Sequence, residues 1–113
     1  MLKSKISLVW MSFVLCLVLS QSIFAQTQTA VISGRVTDSN GQGISKAIVT
    51  AVNFNGSVYS GRTSSFGYYS VVVQTSISGD SFVIFPTGKQ HTFNARFEFI
   101  LGDTTDIDFV ALP

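Results

Sequence analysis

Two kinds of hydrophobic patterning divide the chain. From Ile6 to Leu19 apolar residues run together, interrupted only by Ser7, Ser12 and Cys16. From Gln26 onward no segment keeps a helical period for three turns, and apolar and polar residues alternate at period two between glycines and asparagines. The alternation predicts a strand over Val31 to Thr37, with Ile32, Gly34 and Val36 on one face, then a turn at Ser39-Asn40-Gly41. Ala47 to Val52 is apolar on both faces and is expected in the sheet interior. Asn55-Gly56 is the dipeptide favoured in two-residue hairpins, and it leads to a strand over Ser57 to Thr63. After a turn at Ser64-Ser65-Phe66-Gly67, Tyr68 to Gln74 forms a strand in which Tyr69, Val71 and Val73 share a face. Ser81 to Phe85 is short and apolar, and Pro86-Thr87-Gly88 is expected to stop it. Phe93, Ala95, Phe97 and Phe99 then face one way, with Asn94, Arg96 and Glu98 on the polar side. Thr105 to Leu112 sends Ile107, Phe109 and Ala111 inward and leaves Asp106 and Asp108 in water. Seven short strands separated by turn signals make an all-β, antiparallel two-sheet sandwich.

The first apolar run changes the compartment. Lys3 and Lys5 precede it, a polar Ser-Gln-Ser follows, and Ala25 offers a small residue for cleavage, which is the build of a signal-peptide helix. A membrane span needs about 20 apolar residues, more than this run supplies. The expected organisation is a signal peptide over 1–25, a flexible lead-in over 26–29 and one domain over 30–113. The product is expected to be secreted or periplasmic, with a membrane tie only if the signal segment stays uncleaved. Cleavage removes two of the lysines, so the formal charge of +1 becomes −1. It also removes Cys16, Trp10 and both Met residues. No disulfide framework, thiol nucleophile or cysteine-ligated zinc is then expected, and the near-neutral charge gives no reason to expect nucleic acid. Eight Phe and three Tyr remain in the mature segment, enough apolar area for two faces packed on each other.

Ile32-Ser33-Gly34-Arg35-Val36-Thr37-Asp38, followed by Gly41, Gly43-Ile44 and Ala47-Ile48-Val49, resembles the opening of carboxypeptidase regulatory-like domains. Thr63-Ser64-Ser65-Phe66-Gly67-Tyr68-Tyr69 resembles their central signature, Phe82-Val83-Ile84 through Pro86 and Gly88 to Thr92-Phe93 their later strands, and Asp106-Ile107-Asp108-Phe109 their closing strand. The resemblance implies a transthyretin-like Greek-key sandwich of bacterial origin, structural or interacting in role, with Gly34, Gly67, Tyr69 and Phe109 keeping the fold. No catalytic domain accompanies it here, so whatever it assists is expected to be a separate molecule, either another protein or a cell-surface polysaccharide. The domain itself is expected to be a monomer without a cofactor.

Candidate chemistry is sparse. His91 is the only histidine, in the polar loop Gly88-Lys89-Gln90-His91 without a nucleophile or orienting carboxylate beside it, so no catalytic residue is assigned. Related transthyretin-like hydrolases use several histidines and a distinctive C-terminal tetrapeptide, whereas this chain ends Val110-Ala111-Leu112-Pro113. Asp103, Asp106 and Asp108 invite calcium, but strand spacing does not curl them around an ion, so no metal is assigned. Glu98 is the only glutamate and lies beside Arg96, which leaves no pair of acids for glycoside cleavage. The positive hint is aromatic. Phe54, Tyr59, Phe66 and Tyr68 fall at loops or opposite the Tyr69 row, where they form a candidate surface for sugar rings or a partner's apolar patch.

Overall fold

The computed structural model describes residues 26–113. The signal peptide expected over 1–25, with its cleavage after Ala25, lies outside the described residues. Seven strands run in the order β1 (Thr27–Thr37), β2 (Ile48–Asn53), β3 (Val58–Arg62), β4 (Tyr68–Ser76), β5 (Asp80–Thr87), β6 (Arg96–Ile100) and β7 (Phe109–Val110). They form two sheets, β4-β1-β7 and β3-β2-β5-β6. Between them lie Ala30, Ile32 and Val36 of β1, Val49 and Ala51 of β2, Tyr69, Val71 and Val73 of β4, and Phe82 and Ile84 of β5. Each set shares one parity because successive side chains of a strand point to opposite faces. Burying a ring such as Phe82 stabilises the fold by about 2 to 3 kcal/mol before entropy is subtracted.

Several expectations need correcting. β1 begins at Thr27, so most of the lead-in expected to be flexible is a paired strand, Thr27 to Thr29 lying opposite Ser76 to Gln74. The β2–β3 hairpin has a three-residue loop rather than a two-residue one: Asn53 receives the Gly56 N–H and donates its own to Ser57. Asn53 then faces inward, and its Oδ1 accepts the Asn55 N–H at 3.0 Å. Pro86 does not stop β5; it sits buried within the strand opposite Val49. Its missing N–H costs no ladder bond, because pairing with β6 ends at Ile84 and β5 is an edge from there on.

The sandwich is not wholly antiparallel. Val36 and Thr37 pair with Phe109 and Val110 in parallel. Ile107, Phe109 and Ala111 point inward. The approach to β7 follows β1 without a continuous ladder, and carboxylates fill the gaps. Asp103 Oδ1 accepts the Val31 N–H at 2.9 Å, and Asp108 Oδ1 accepts the Arg35 N–H at 2.8 Å. Asp108 is therefore bound to the sheet edge rather than merely solvated. Between these anchors the chain crosses directly over Gly34, where a Cβ would stand 2.1 Å from the Ile107 carbonyl oxygen. Gly67 meets a second requirement, with φ at 88° in the turn that enters β4.

Tyr69 fastens the same crossing from below. Its ring is buried against Phe109, and its hydroxyl donates to the Ile107 carbonyl. Burial, reinforced by the Asp108 charge, pushes the phenol pKa well above the ordinary tyrosine range, so the donor is retained. Thr63 does comparable work at the β3–β4 corner, accepting the Ala47 N–H at 2.9 Å and donating to the Ile44 carbonyl at 2.7 Å. Among the described residues no buried side-chain nitrogen or oxygen lacks a partner.

The β4–β5 turn closes on Asp80, whose carboxylate accepts from Asn53 Nδ2 at 3.0 Å, Ser76 N–H at 3.0 Å and Ser76 Oγ at 3.2 Å. These donors, the Asn53 amide first, hold its pKa below the ordinary value of 3.8. A folded pKa below the unfolded one means stability that is fully present above the unfolded value and lost as pH falls through the folded one. The urea midpoint is expected to fall more steeply below about pH 4 in the wild type than in Asp80→Asn. Parallel acid limbs in the two proteins would show that Asp80 contributes nothing to acid sensitivity.

Candidate functional site

The strand register sends the four aromatic residues singled out in the sequence to different places. Phe54 lies in the β2–β3 turn, with 68% of its surface exposed. Tyr59 lies inward on β3, half-buried and packed on Phe82 with ring centroids 6.4 Å apart. It belongs to the core rather than to an outer platform, because its partner across the ladder is Ala51, which is fully buried. Phe66 sits in the β3–β4 turn at the end opposite Phe54, and Tyr68 begins β4 on its outer face. No single surface unites them.

Phe66 and Tyr68 do share one neighbour. Arg35 pairs with Tyr68 across β1 and β4, and its guanidinium carbon lies 5.2 Å from the centre of the tyrosine ring. Arg35 Nε donates to the Phe66 carbonyl at 3.0 Å, while its backbone N–H goes to Asp108. A cation over an exposed ring contributes about 0.5 to 1 kcal/mol and fixes the plane of Tyr68. Beside it lies an open cleft of about 330 Å³, lined by Arg35, Tyr68, Asp106 and Asp108 among others. Asp106 is exposed at the rim with φ at 61°. This cleft offers a flat ring, a cation and carboxylates to a polar ligand.

The larger feature lies on the other sheet and was not legible as such in the sequence. Expected to face the core, Phe97 and Phe99 are instead 72% and 60% exposed, and Arg96 and Glu98 turn toward the inner side. The inversion follows from Ile100, which shares their parity and is fully buried at the end of β6. Arg96 and Glu98 occupy the open flank between the two sheets. There Glu98 Oε1 receives Arg96 Nη2 at 2.7 Å and Nε at 3.0 Å, and Arg96 Nη1 donates to the Asp108 carbonyl at 3.2 Å. Hydrogen-bonded charge is tolerable at such a half-open site, whereas unpaired charge is not. Extending the alternation from Phe93 one residue further, to Ile100, would have exposed the ambiguity, since both faces then carry apolar residues.

The outward turn of β6 completes an apolar row across four strands: Val58 opposite Val52, Val52 opposite Val83, and Val83 opposite Phe97. Phe99 lies next to the row opposite Ser81, and Phe54 approaches Ser81 from the other side through its N–H at 3.2 Å. Cross-strand neighbours of this kind support one another within the sheet, but their outer surfaces remain in water.

The remaining candidates stay apart. His91 is exposed beyond β5 with its ring 6.3 Å from that of Phe93, and Lys46 and Lys89 line the adjoining hollow without a carboxylate. Among the described residues no three His, Cys, Asp or Glu side chains gather as a metal centre would require. No protein-family model matches the chain, and no curated protein matches its sequence.

Proposed function

We propose that the chain is an exported, non-enzymatic interaction module of the carboxypeptidase regulatory-like type, a transthyretin-like Greek key that binds another protein through the outer face of β3-β2-β5-β6. One observation carries the reading: Phe97, Phe99, Val58 and Phe54 are each at least 60% exposed on or beside one sheet face. Soluble monomers keep large contiguous apolar patches off their surfaces, and such patches mark interaction sites. The sequence motifs support the family and the pattern of residues 1–25 supports export; the sheet order, with β1 central in one layer and β2 and β5 central in the other, is compatible with the Greek key.

A photoreactive amino acid at Phe99 is expected to yield protein adducts in the native envelope, whereas the same probe at Asn40, in the exposed turn after β1, is expected to yield none. Equal labelling from both positions, or none from Phe99, would remove the reading. The cleft beside Tyr68 favours a second reading, a polysaccharide held against the ring that Arg35 braces. Calorimetric titration with soluble polysaccharides distinguishes it: saturable heat abolished in Tyr68→Ala, with the melting temperature unchanged, would shift the assignment to carbohydrate.

A further inference from the structure

The apolar row Val58–Val52–Val83–Phe97 ends at a strand with a sheet neighbour on one side only. The direction of the free backbone groups on β6 follows from the ladder. Phe54 donates to the Ser81 carbonyl across the gap between β2 and β5, so Ser81, Val83 and Phe85 turn their backbone polar groups toward β2. Phe82 and Ile84 turn theirs the other way, onto Glu98 and Arg96. The N–H and C=O groups of Phe97 and Phe99 therefore point out of the sheet.

Exposed edges are commonly protected by charges that spoil further pairing. The charges on β6 oppose the two-fold registers centred on them and favour the one centred between them. An antiparallel copy centred on Glu98 would set two carboxylates face to face, and one centred on Arg96 would oppose two guanidinium groups; like charges directly opposite are destabilising. A copy centred on Phe99 would set Glu98 against the partner's Ile100. Centred on Phe97, Arg96 faces the partner's Glu98, Glu98 faces the partner's Arg96, and the outward backbone groups meet in register. The apolar row then continues through Phe97 into the partner's Phe97 without a break.

We propose that a second copy of this chain occupies the edge, with β6 pairing antiparallel about a two-fold axis through Phe97 and joining two four-stranded sheets into one. The proposal goes beyond the interaction reading above, since edge pairing lengthens the apolar face without covering it, and it replaces the monomer expected from sequence.

The mature segment has no cysteine, since Cys16 is the only one in the chain. Opposed residues of a hydrogen-bonded antiparallel pair have Cα atoms about 5.5 Å apart, within reach of a disulfide. Phe97→Cys is expected to oxidise to a covalent dimer, whereas Val72→Cys, exposed on the opposite sheet, is expected to remain monomeric. In sedimentation equilibrium the wild-type domain is expected to dimerise, and Glu98→Arg to weaken the dimer by roughly tenfold or more. The double exchange of Arg96→Glu with Glu98→Arg restores the opposed charges and is expected to restore the dimer. Phe97→Pro removes an outward N–H while sparing the ladder to β5; it is expected to be monomeric with a near wild-type melt. A monomeric wild type, or a double exchange that folds but does not re-form the dimer, would overturn the proposal. If the wild type is monomeric yet the Phe99 photoprobe still captures a different protein, the interaction reading survives and only the self-partner falls. If the wild type is monomeric and the probe also captures nothing, both fall.

Discussion

Phe82→Ala is expected to cost about 3 to 5 kcal/mol, the sum of lost transfer energy and an unfilled cavity. Among the described residues Phe82 is the largest of the fully buried side chains, in contact with Tyr59 and opposed across the ladders by Asn53 and Glu98. Strands on both sides hold the backbone at Phe82, so the site cannot collapse to fill the gap. Domains are stable by about 5 to 15 kcal/mol in total, so a loss of this size removes a large fraction of the reserve. Urea unfolding followed by circular dichroism gives the measurement, read as a lower midpoint at unchanged slope. Phe97→Ala, on the exposed strand beside it, is expected to leave the monomer's midpoint nearly unmoved. Equal losses from the two would mean that β6 presents Phe97 inward after all.

Gly34→Ala is expected to be nearly as damaging, although it adds a single methyl group. The new Cβ would meet the Ile107 carbonyl oxygen at 2.1 Å, and that oxygen is backbone held by Tyr69 and by the Ile107 N–H bond to Ser33. Either the crossing segment lifts or β1 bends, and overpacking of this kind costs roughly 3 kcal/mol. Hydrogen exchange distinguishes the outcomes. If the segment lifts, the amides of Ile107 and Ala111 lose protection while those of β2 and β5 keep theirs. Unchanged protection at Ile107 would mean that the contact relaxes more readily than its geometry indicates.

How far the sequence announced this arrangement depends on the element. In β4 the polar Ser70 and Gln74 mark the outer parity despite Tyr68 and Val72, so Tyr69, Val71 and Val73 were placed correctly on the inner one. The β6 segment carries aromatic residues on one parity and Ile100 on the other, so counting rings picked the wrong face. An edge strand needs only one deeply buried anchor, and Ile100 provides it. Pro86 read as a terminator because sequence does not show where a neighbouring strand ends. The parallel pairing of β7 was hidden for a related reason: turn signals reveal hairpins between consecutive strands, but not which distant strand a final segment joins. Of the candidate surface, exposed Phe54, Phe66 and Tyr68 were legible from their turns and parity. Their dispersal to different ends was not, because it depends on the assembled sheets.

The carboxylates that fasten the last segment to β1 also set a timetable. Asp108 reaches Arg35 across 73 positions of sequence, and Asp103 reaches Val31 across 72. Contacts that distant form late, because a long loop must close before any of them is rewarded. Until then β1 has β4 on one flank and nothing on the other, and the row Ile32–Val36 lacks its lid of Ile107 and Phe109. Whenever the last segment is undocked, the central strand is an open, sticky edge. A nascent chain arrested before Asp103 would be held in that state, and a chaperone that binds extended apolar segments would find its target in β1.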